Sequence, residues 1–90
     1  MFGHVVMKFS VYVLKSLKNG DLYVGSTENV MIRVKLHNEG KVKSTKGYRP
    51  WELLEYREFD LRSEAVKYEK FLKNHQQKER IRRNYNLVAP

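Results

Sequence analysis

The sequence contains no cysteine, only two prolines, and no long apolar run. Without cysteine there is neither a disulfide framework nor a thiolate site for zinc. The three histidines, His4, His37 and His75, lie on separate segments without the short spacing of a metal-binding pair, which argues against a zinc protein. No segment approaches the ~18 apolar residues of a membrane helix, and the N-terminus does not resemble a signal peptide. We therefore expect a cytoplasmic protein with no membrane contact.

Length and charge suggest a single small domain with a polyanionic partner. The 90 residues fit one domain, with a core at about residues 9–83 and looser ends at 1–8 and 84–90. The net charge of +8 favours nucleic acid as partner, ahead of an anionic membrane surface. Cations cluster in residues 41–49 and in the C-terminal third, whereas acids concentrate in residues 52–64. This separation predicts a basic side and an acidic side.

Three segments have the composition of β-strands. Residues 9–15, 21–26 and 51–59 are rich in β-branched and aromatic side chains. Between the first two, Asn19-Gly20 favours a two-residue hairpin turn, because both of its positions accept positive φ. Such a turn would place Tyr23 opposite Ser16.

Residues typical of helix ends follow the predicted hairpin and the third strand. Thr27 or Asn29 can cap a first helix that stops at Gly40, and Ser63 can cap a second that runs to about residue 74. A third helix is expected at residues 76–83. The resulting order is β-β-α-β-α-α, which has too few crossovers for a parallel sheet. We predict an α+β fold, with a small three-stranded, mostly antiparallel sheet flanked by helices.

Glu69 is the most informative single position in the predicted helices. It falls inside the apolar arc of the second helix, where a carboxylate needs a partner or a metal ion. It could form an ion pair with Lys73 one turn later, which is the commoner arrangement, or it could bind a hard cation such as Mg²⁺.

Two further pairs of polar residues have both a structural and a functional interpretation. Arg33 and His37 are four residues apart, so their side chains project together from the first helix. They fit a solvated helix face, or a phosphate clamp beside a group that titrates near neutral pH. Tyr12 and Tyr23 should point to the same face of the hairpin, although tyrosines in strands usually serve packing.

These residues together resemble a known family. Ser10-Val11-Tyr12 and Tyr23-Val24-Gly25 are similar to the two tripeptides that name the GIY-YIG nuclease superfamily, with Ser10 replacing glycine and valines replacing isoleucine. Arg33 and His37 follow where the family has an arginine and a histidine or tyrosine. The segment 65–73 resembles the helix with the family's metal-binding glutamate, at Glu69. The resemblance covers residues 9–73. The chain is similar to the compact nuclease domain of excision-repair endonucleases.

The resemblance implies a metal-dependent DNA endonuclease that hydrolyses phosphodiester bonds, and we expect it to be structure-specific and related to DNA repair. One Mg²⁺ or Mn²⁺ ion held by Glu69 would activate the phosphodiester, and Arg33 would stabilise the developing charge. Tyr12 or Tyr23 would accept a proton from the attacking water, with His37 assisting a tyrosine or contacting the phosphate. Gly25 is expected to have a structural role. Contacts to the DNA backbone are expected from Lys41, Lys43, Lys46, Arg49 and Lys73.

Two other classes of protein remain compatible with the sequence. The first is a catalytically silent nucleic-acid-binding module on the same fold, which would not need the five polar site residues. The second is a basic subunit that contacts a protein partner through its tyrosines and Trp51. A protein partner or a dimer could also assist substrate selection. Duplex, nicked, flap, branched or single-stranded DNA, and RNA, are all compatible substrates.

Overall fold

The computed structural model describes residues 8–87, so the expected loose ends at residues 1–7 and 88–90, and His4, lie outside the described residues. The elements are β1 (Phe9–Ser16), β2 (Leu22–Thr27), α1 (Val30–Asn38), a short 3-10 turn (Lys46–Tyr48), β3 (Trp51–Phe59), α2 (Arg62–Leu72) and α3 (His75–Asn84). The predicted order and the α+β class are confirmed. No helix between residues 8 and 87 is long and apolar enough to cross a lipid bilayer.

The sheet has the order β2-β1-β3, and both pairs of strands are antiparallel. Tyr12 lies opposite Gly25, and Tyr23 lies opposite Leu14 rather than Ser16. The register therefore differs by two residues from the one predicted. A shift of two preserves the faces of a strand, so Tyr12 and Tyr23 still point to the same side.

The predicted two-residue turn at Asn19-Gly20 is wrong. The hairpin is closed by residues 17–21, and of the two turn residues only Gly20 has a positive φ, at 81°. The Ser16 hydroxyl accepts hydrogen bonds from the backbone N–H groups of Lys18 and Asn19, at 3.1 and 3.2 Å. These bonds stabilise a five-residue loop in place of the two-residue turn, so the Ser16 side chain at the end of β1 determines the length of the loop.

A β-bulge in β3 explains why its glutamates break strict alternation. Leu14 pairs with Leu53 and Val13 pairs with Glu55, so Leu54 is an extra residue in β3. Leu53 and Leu54 face opposite sides of the sheet, each packed against a different core, and the bulge places Glu55 after Leu54 on the face of Val13.

Each face of the sheet carries its own hydrophobic core. On one face α2 and α3 cover Val11 and Val13, with Ala65, Leu72 and Ile81 buried between them. On the other face α1 covers Tyr12 and Leu14; Val30 and Trp51 complete this core. Because the site tyrosines belong to the α1 face, α1 is the helix that can supply their partners.

The helix ends follow short-range rules with one exception. The Asn29 side chain caps α1 by accepting from Ile32 N at 3.0 Å, and Gly40, with φ of 76°, lies just beyond its end. The prediction that Ser63 caps α2 is wrong: α2 begins at Arg62 after Leu61, which provides no side-chain cap. The backbone N–H of Ala65 already donates to the Leu61 carbonyl at 3.2 Å, so Ser63 lies inside the first turn.

The residues after α3 contact the sheet, although a loose end was predicted from residue 84. The Tyr85 hydroxyl lies 2.8 Å from Glu55 Oε2 and 3.2 Å from the Leu54 carbonyl oxygen. Leu87 packs against the core beneath α2 and α3. The C-terminal segment therefore contacts β3 at the bulge.

Candidate active site

Tyr12 and His37 form the centre of the candidate site. Tyr12 comes from the central strand β1 and His37 from the last turn of α1, and they are separated by 25 residues. The Tyr12 hydroxyl lies 2.8 Å from His37 Nε2. Tyr12 is 1% exposed and His37 0% exposed. The alternative interpretation of His37 as a solvated residue on an exposed helix face is therefore wrong.

The hydrogen bonding continues from His37 to a residue that the sequence did not single out. His37 Nδ1 lies 2.7 Å from Thr45 Oγ1, and Thr45 is also buried. We call Tyr12, His37 and Thr45 the buried hydrogen-bond chain. No sequence pattern distinguishes Thr45 from other loop residues. Its contact with His37 depends on how the loop between α1 and β3 folds back against α1.

Gly25 allows the two tyrosines to approach the backbone of β2. A Cβ atom at Gly25 would lie 2.6 Å from the Tyr12 hydroxyl oxygen and 2.9 Å from Cε1 of Tyr23. Both distances are below ordinary van der Waals contact, so only glycine fits between the two rings. This accounts for the structural role that the sequence assigned to Gly25.

Tyr23 lies beside the buried hydrogen-bond chain but is more accessible. Its ring centroid is 5.0 Å from that of His37 and 6.2 Å from those of Tyr12 and Trp51. The residue is only partly buried, and no residue between 8 and 87 forms a hydrogen bond with its hydroxyl. Tyr23 therefore offers an available hydroxyl at the edge of the site.

Burial and the nearby Arg33 determine the protonation states at the centre of the site. Burial raises the pKa of Tyr12 to about 12, although Arg33 acts in the opposite direction. Burial, reinforced by the charge of Arg33, lowers the pKa of His37 to about 4. At neutral pH the site therefore contains a protonated tyrosine and a neutral imidazole.

Glu69 reaches the same region from the opposite face of the sheet. Its Oε2 atom lies 2.7 Å from Lys73 Nζ, so the ion pair that the sequence offered as one alternative is present. Burial would raise the pKa of the Glu69 carboxyl, but hydrogen bonding from Lys73 and Ser26 outweighs burial, and its pKa is lowered. Ser26 follows Gly25 in the edge strand β2. The charge of Glu69 also raises the pKa of Tyr12, in the same direction as burial.

The donor set suits only a hard cation that keeps much of its water. Among the residues that the structure describes, no three His, Cys, Asp or Glu side chains come together as a metal site. A single carboxylate that is 21% exposed fits Mg²⁺ or Mn²⁺, which bind through one or two carboxylates, water and substrate phosphate. It does not fit zinc, which needs three or four protein ligands.

The predicted DNA-binding residues separate into two places. Lys41, Lys43, Lys46 and Arg49 are exposed on the segment between α1 and β3, which we call the basic loop (residues 41–50). Lys73 instead lies at the C-terminal end of α2, where it pairs with Glu69. Lys18, which the sequence did not single out, joins Lys46 and Arg49 around a depression of about 400 Å³. Its place in the hairpin loop gave no sign of this neighbourhood.

Two contacts fix the basic loop to the rest of the site. The Asn38 side chain accepts from Trp51 N at 2.6 Å and donates to Trp51 O at 3.0 Å, which joins the end of α1 to the start of β3. The Trp51 indole N–H donates to the Thr45 carbonyl at 3.0 Å. Thr45 is therefore held in place from both the helix and the strand.

The fold and the site together are those of a GIY-YIG domain. The antiparallel sheet provides two tyrosines from paired strands, α1 provides an arginine and a histidine, and α2 provides a glutamate. The model of the GIY-YIG catalytic domain matches residues 8–86. The chain belongs to this family, whose members are generally nucleases.

The relatives are small proteins of similar length. A UPF0213 protein of Staphylococcus haemolyticus is 37% identical over 76 residues, which cover 83% of this chain and 92% of that protein. A UPF0213 protein of Staphylococcus saprophyticus is 34% identical over the same length. The solution NMR structure of a UPF0213 protein from Bacillus halodurans is 35% identical, with a TM-score of 0.52, and the match covers 83% of this chain and 82% of that one.

Proposed function

We propose that this protein is a metal-dependent endonuclease that hydrolyses DNA phosphodiester bonds. The observation that carries the proposal is the meeting of Tyr12, Tyr23, Arg33 and His37 on one face of the sheet, with Glu69 arriving at the same edge from the other face. A binding module needs cations on its surface. It has no need for a buried tyrosine–histidine pair or for a partly buried carboxylate.

Arg33 is the group suited to the scissile phosphate. It is partly buried on α1, and it lies close enough to the Tyr12 hydroxyl to lower the pKa of that tyrosine against the effect of burial. A guanidinium donates two parallel hydrogen bonds to phosphoryl oxygens, and its charge stabilises the charge that develops on them during attack.

Tyr12 is the tyrosine that we assign to accept the proton of the attacking water. A protonated tyrosine can act as a base only if its own proton leaves at the same time. Tyr12 has a neutral acceptor, His37 Nε2, at 2.8 Å, whereas no residue between 8 and 87 is bonded to the Tyr23 hydroxyl. The water proton passes to Tyr12 Oη as the Tyr12 proton passes to His37 Nε2. The hydroxide forms the new bond to phosphorus while the bond from phosphorus to the leaving sugar oxygen breaks, and that oxygen takes up a proton from solvent. Tyr23 uses its accessible hydroxyl to orient the phosphate.

Glu69 is the residue that would hold the divalent cation. A bound Mg²⁺ or Mn²⁺ ion supplies positive charge that polarises the phosphoryl group and stabilises the leaving oxygen. The lowered pKa keeps the Glu69 carboxyl ionised at neutral pH, as a metal ligand must be. Lys73 lies 2.7 Å from Glu69 Oε2, so the cation would compete with this ion pair for the carboxylate.

The basic loop and Lys18 are the surface that we assign to the DNA backbone. Their cations lie at the hairpin end of the sheet, whereas the acids Glu52, Glu55 and Glu58 lie on β3, the edge opposite β2. Phosphate contacts of this kind position DNA without reading its sequence, and their affinity falls steeply with salt concentration.

The deciding experiment is cleavage of a panel of labelled DNA structures with Mg²⁺ or Mn²⁺, and with EDTA as the metal-free control. The panel contains single-stranded, duplex, nicked, flap and branched DNA. Glu69→Gln should lower the cleavage rate by about a hundredfold or more, since it removes the charge of the metal ligand. Glu64→Gln is the matched control, because Glu64 is exposed in the first turn of the same helix. It should cleave like the wild type.

Two outcomes would contradict the proposal. Salt-sensitive DNA binding without cleavage by the wild type on any substrate would favour the nucleic-acid-binding module. Cleavage that persists in EDTA, or that Glu69→Gln leaves unchanged, would contradict the assignment of the metal to Glu69.

A further inference from the structure

The hydrogen bonds of the buried chain have a direction, and the contacts at its two ends determine it. At one end, His37 Nε2 at 2.8 Å is the single hydrogen-bond partner of the Tyr12 hydroxyl within residues 8–87, and a buried hydroxyl proton needs an acceptor. At the other end the Thr45 hydroxyl donates to the Val42 carbonyl at 3.4 Å, and a carbonyl can only accept. The protons between these ends therefore point from Tyr12 towards Val42.

This direction selects one tautomer of His37. Thr45 Oγ1 gives its own proton to Val42, so it accepts a hydrogen bond from the protonated Nδ1 of His37 at 2.7 Å. Nε2 is then unprotonated and accepts the Tyr12 hydroxyl at 2.8 Å. In the other tautomer, Nε2–H would donate to Tyr12, and the proton of this buried hydroxyl would lack an acceptor among residues 8–87.

We propose that Thr45 is a positioning residue that holds His37 in the Nδ1–H tautomer, so that Nε2 is free to receive the proton of Tyr12. Thr45 acts through His37 and does not itself contact DNA or the reacting water. The inference deepens the proposed function and rests on it, because a free Nε2 matters for catalysis only if Tyr12 accepts a proton from water.

The position of Thr45 is well suited to this task. It is 1% exposed, and its carbonyl accepts the indole N–H of Trp51 at 3.0 Å. The hydroxyl therefore has little freedom to turn away from His37. Thr45 also lies in the basic loop, so the segment that we assign to bind the DNA backbone also holds the proton acceptor of the site.

The test reads the tautomer directly, by long-range ¹H–¹⁵N NMR spectra of the histidine rings in the 90-residue chain. With three histidines in the chain, the spectrum is simple to assign. We expect a protonated Nδ1 and a bare Nε2 for His37 in the wild type and in Thr45→Ser, which keeps the hydroxyl. Thr45→Val has nearly the same shape without the hydroxyl, and it should move His37 towards the Nε2–H tautomer. Ser44→Ala removes the exposed hydroxyl next to Thr45, and it should leave the His37 tautomer as in the wild type.

The kinetic counterpart is measured on the best substrate of the cleavage panel. Thr45→Val should lower kcat by about tenfold, the value of one buried hydrogen bond, with KM unchanged. Thr45→Ser should restore the wild-type rate. Loss of kcat in both variants would indicate a packing role and would overturn the proposal.

The two proposals can fail separately. A wild-type His37 in the Nε2–H tautomer, or a Thr45→Val variant that keeps the Nδ1–H form, would overturn the role of Thr45 whatever the activity. An inactive wild type with the expected tautomer would overturn the nuclease function and leave the role of Thr45 in orienting His37 supported. The wild-type spectrum needs no variant, so the inference can be refuted even if Thr45→Val does not fold.

Discussion

Replacing Gly25 with alanine would insert a methyl group between the two tyrosines of the site. The new Cβ would lie 2.6 Å from the hydroxyl oxygen and 2.8 Å from Cζ of Tyr12, and 2.9 Å from Cε1 of Tyr23. Cβ atoms in proteins essentially never come closer than 3.0 Å to a neighbour. Tyr12 is 1% exposed and cannot swing into solvent, so its ring and the sheet must both move.

The structure sets the size of the expected effect. Overpacking a close-packed core costs about 1–3 kcal/mol. Displacing Tyr12 also weakens its 2.8 Å hydrogen bond to His37, which costs about 1 kcal/mol more. Alanine recovers about 0.4–1 kcal/mol, because it reduces the entropy of the unfolded chain. Gly25→Ala should therefore lower the free energy of unfolding by about 1–3.6 kcal/mol.

Urea denaturation measures this effect, and Gly47→Ala provides the control. A Cβ at Gly47 would meet no atom within 4 Å, so this variant should stay within about 0.5 kcal/mol of the wild type. Tyr12→Phe removes the nearest clashing atom but leaves Cζ, so Gly25→Ala should cost less in that background without becoming neutral. If Gly25→Ala and Gly47→Ala have the same stability, the close approach of Tyr12 to β2 is refuted.

The remaining predictions concern the loop attachment, the pH dependence and the DNA surface. Asn38→Ala should lower the free energy of unfolding by about 1–2 kcal/mol in urea, because it removes both hydrogen bonds to Trp51, and a smaller loss would mean that water replaces them. Burial lowers the pKa of His37 to about 4 from 6.5, so the unfolded chain binds more protons in that interval. Stability should therefore fall by about 3 kcal/mol as the pH drops from about 6.5 to 4, and His37→Gln should lose this part of the dependence. Lys43→Ala should weaken DNA binding and reduce the slope of log affinity against log salt by about one, whereas Lys8→Ala, whose lysine pairs with Asp60, should leave both unchanged.

The order of elements was predictable because each depends on short-range patterns. The strand at residues 51–59 matches β3, and the cap at Asn29 and the stop at Gly40 mark α1. The register of the hairpin was not predictable, because the hydroxyl of Ser16 binds the backbone of the turn and lengthens the loop. The start of α2 was also missed. The helix begins before Ser63, because the backbone N–H of Ala65 donates to the Leu61 carbonyl.

The sequence by itself determined which residue types would face one another. The period of a strand places Tyr12 and Tyr23 on one face of the hairpin. The period of a helix places Arg33 and His37 on one face of α1. Only the tertiary structure decided that His37 is buried against Tyr12 and Thr45, and that Lys18 joins the basic loop. These contacts join distant segments, so they depend on how α1 and the basic loop pack on the sheet, which no local pattern specifies.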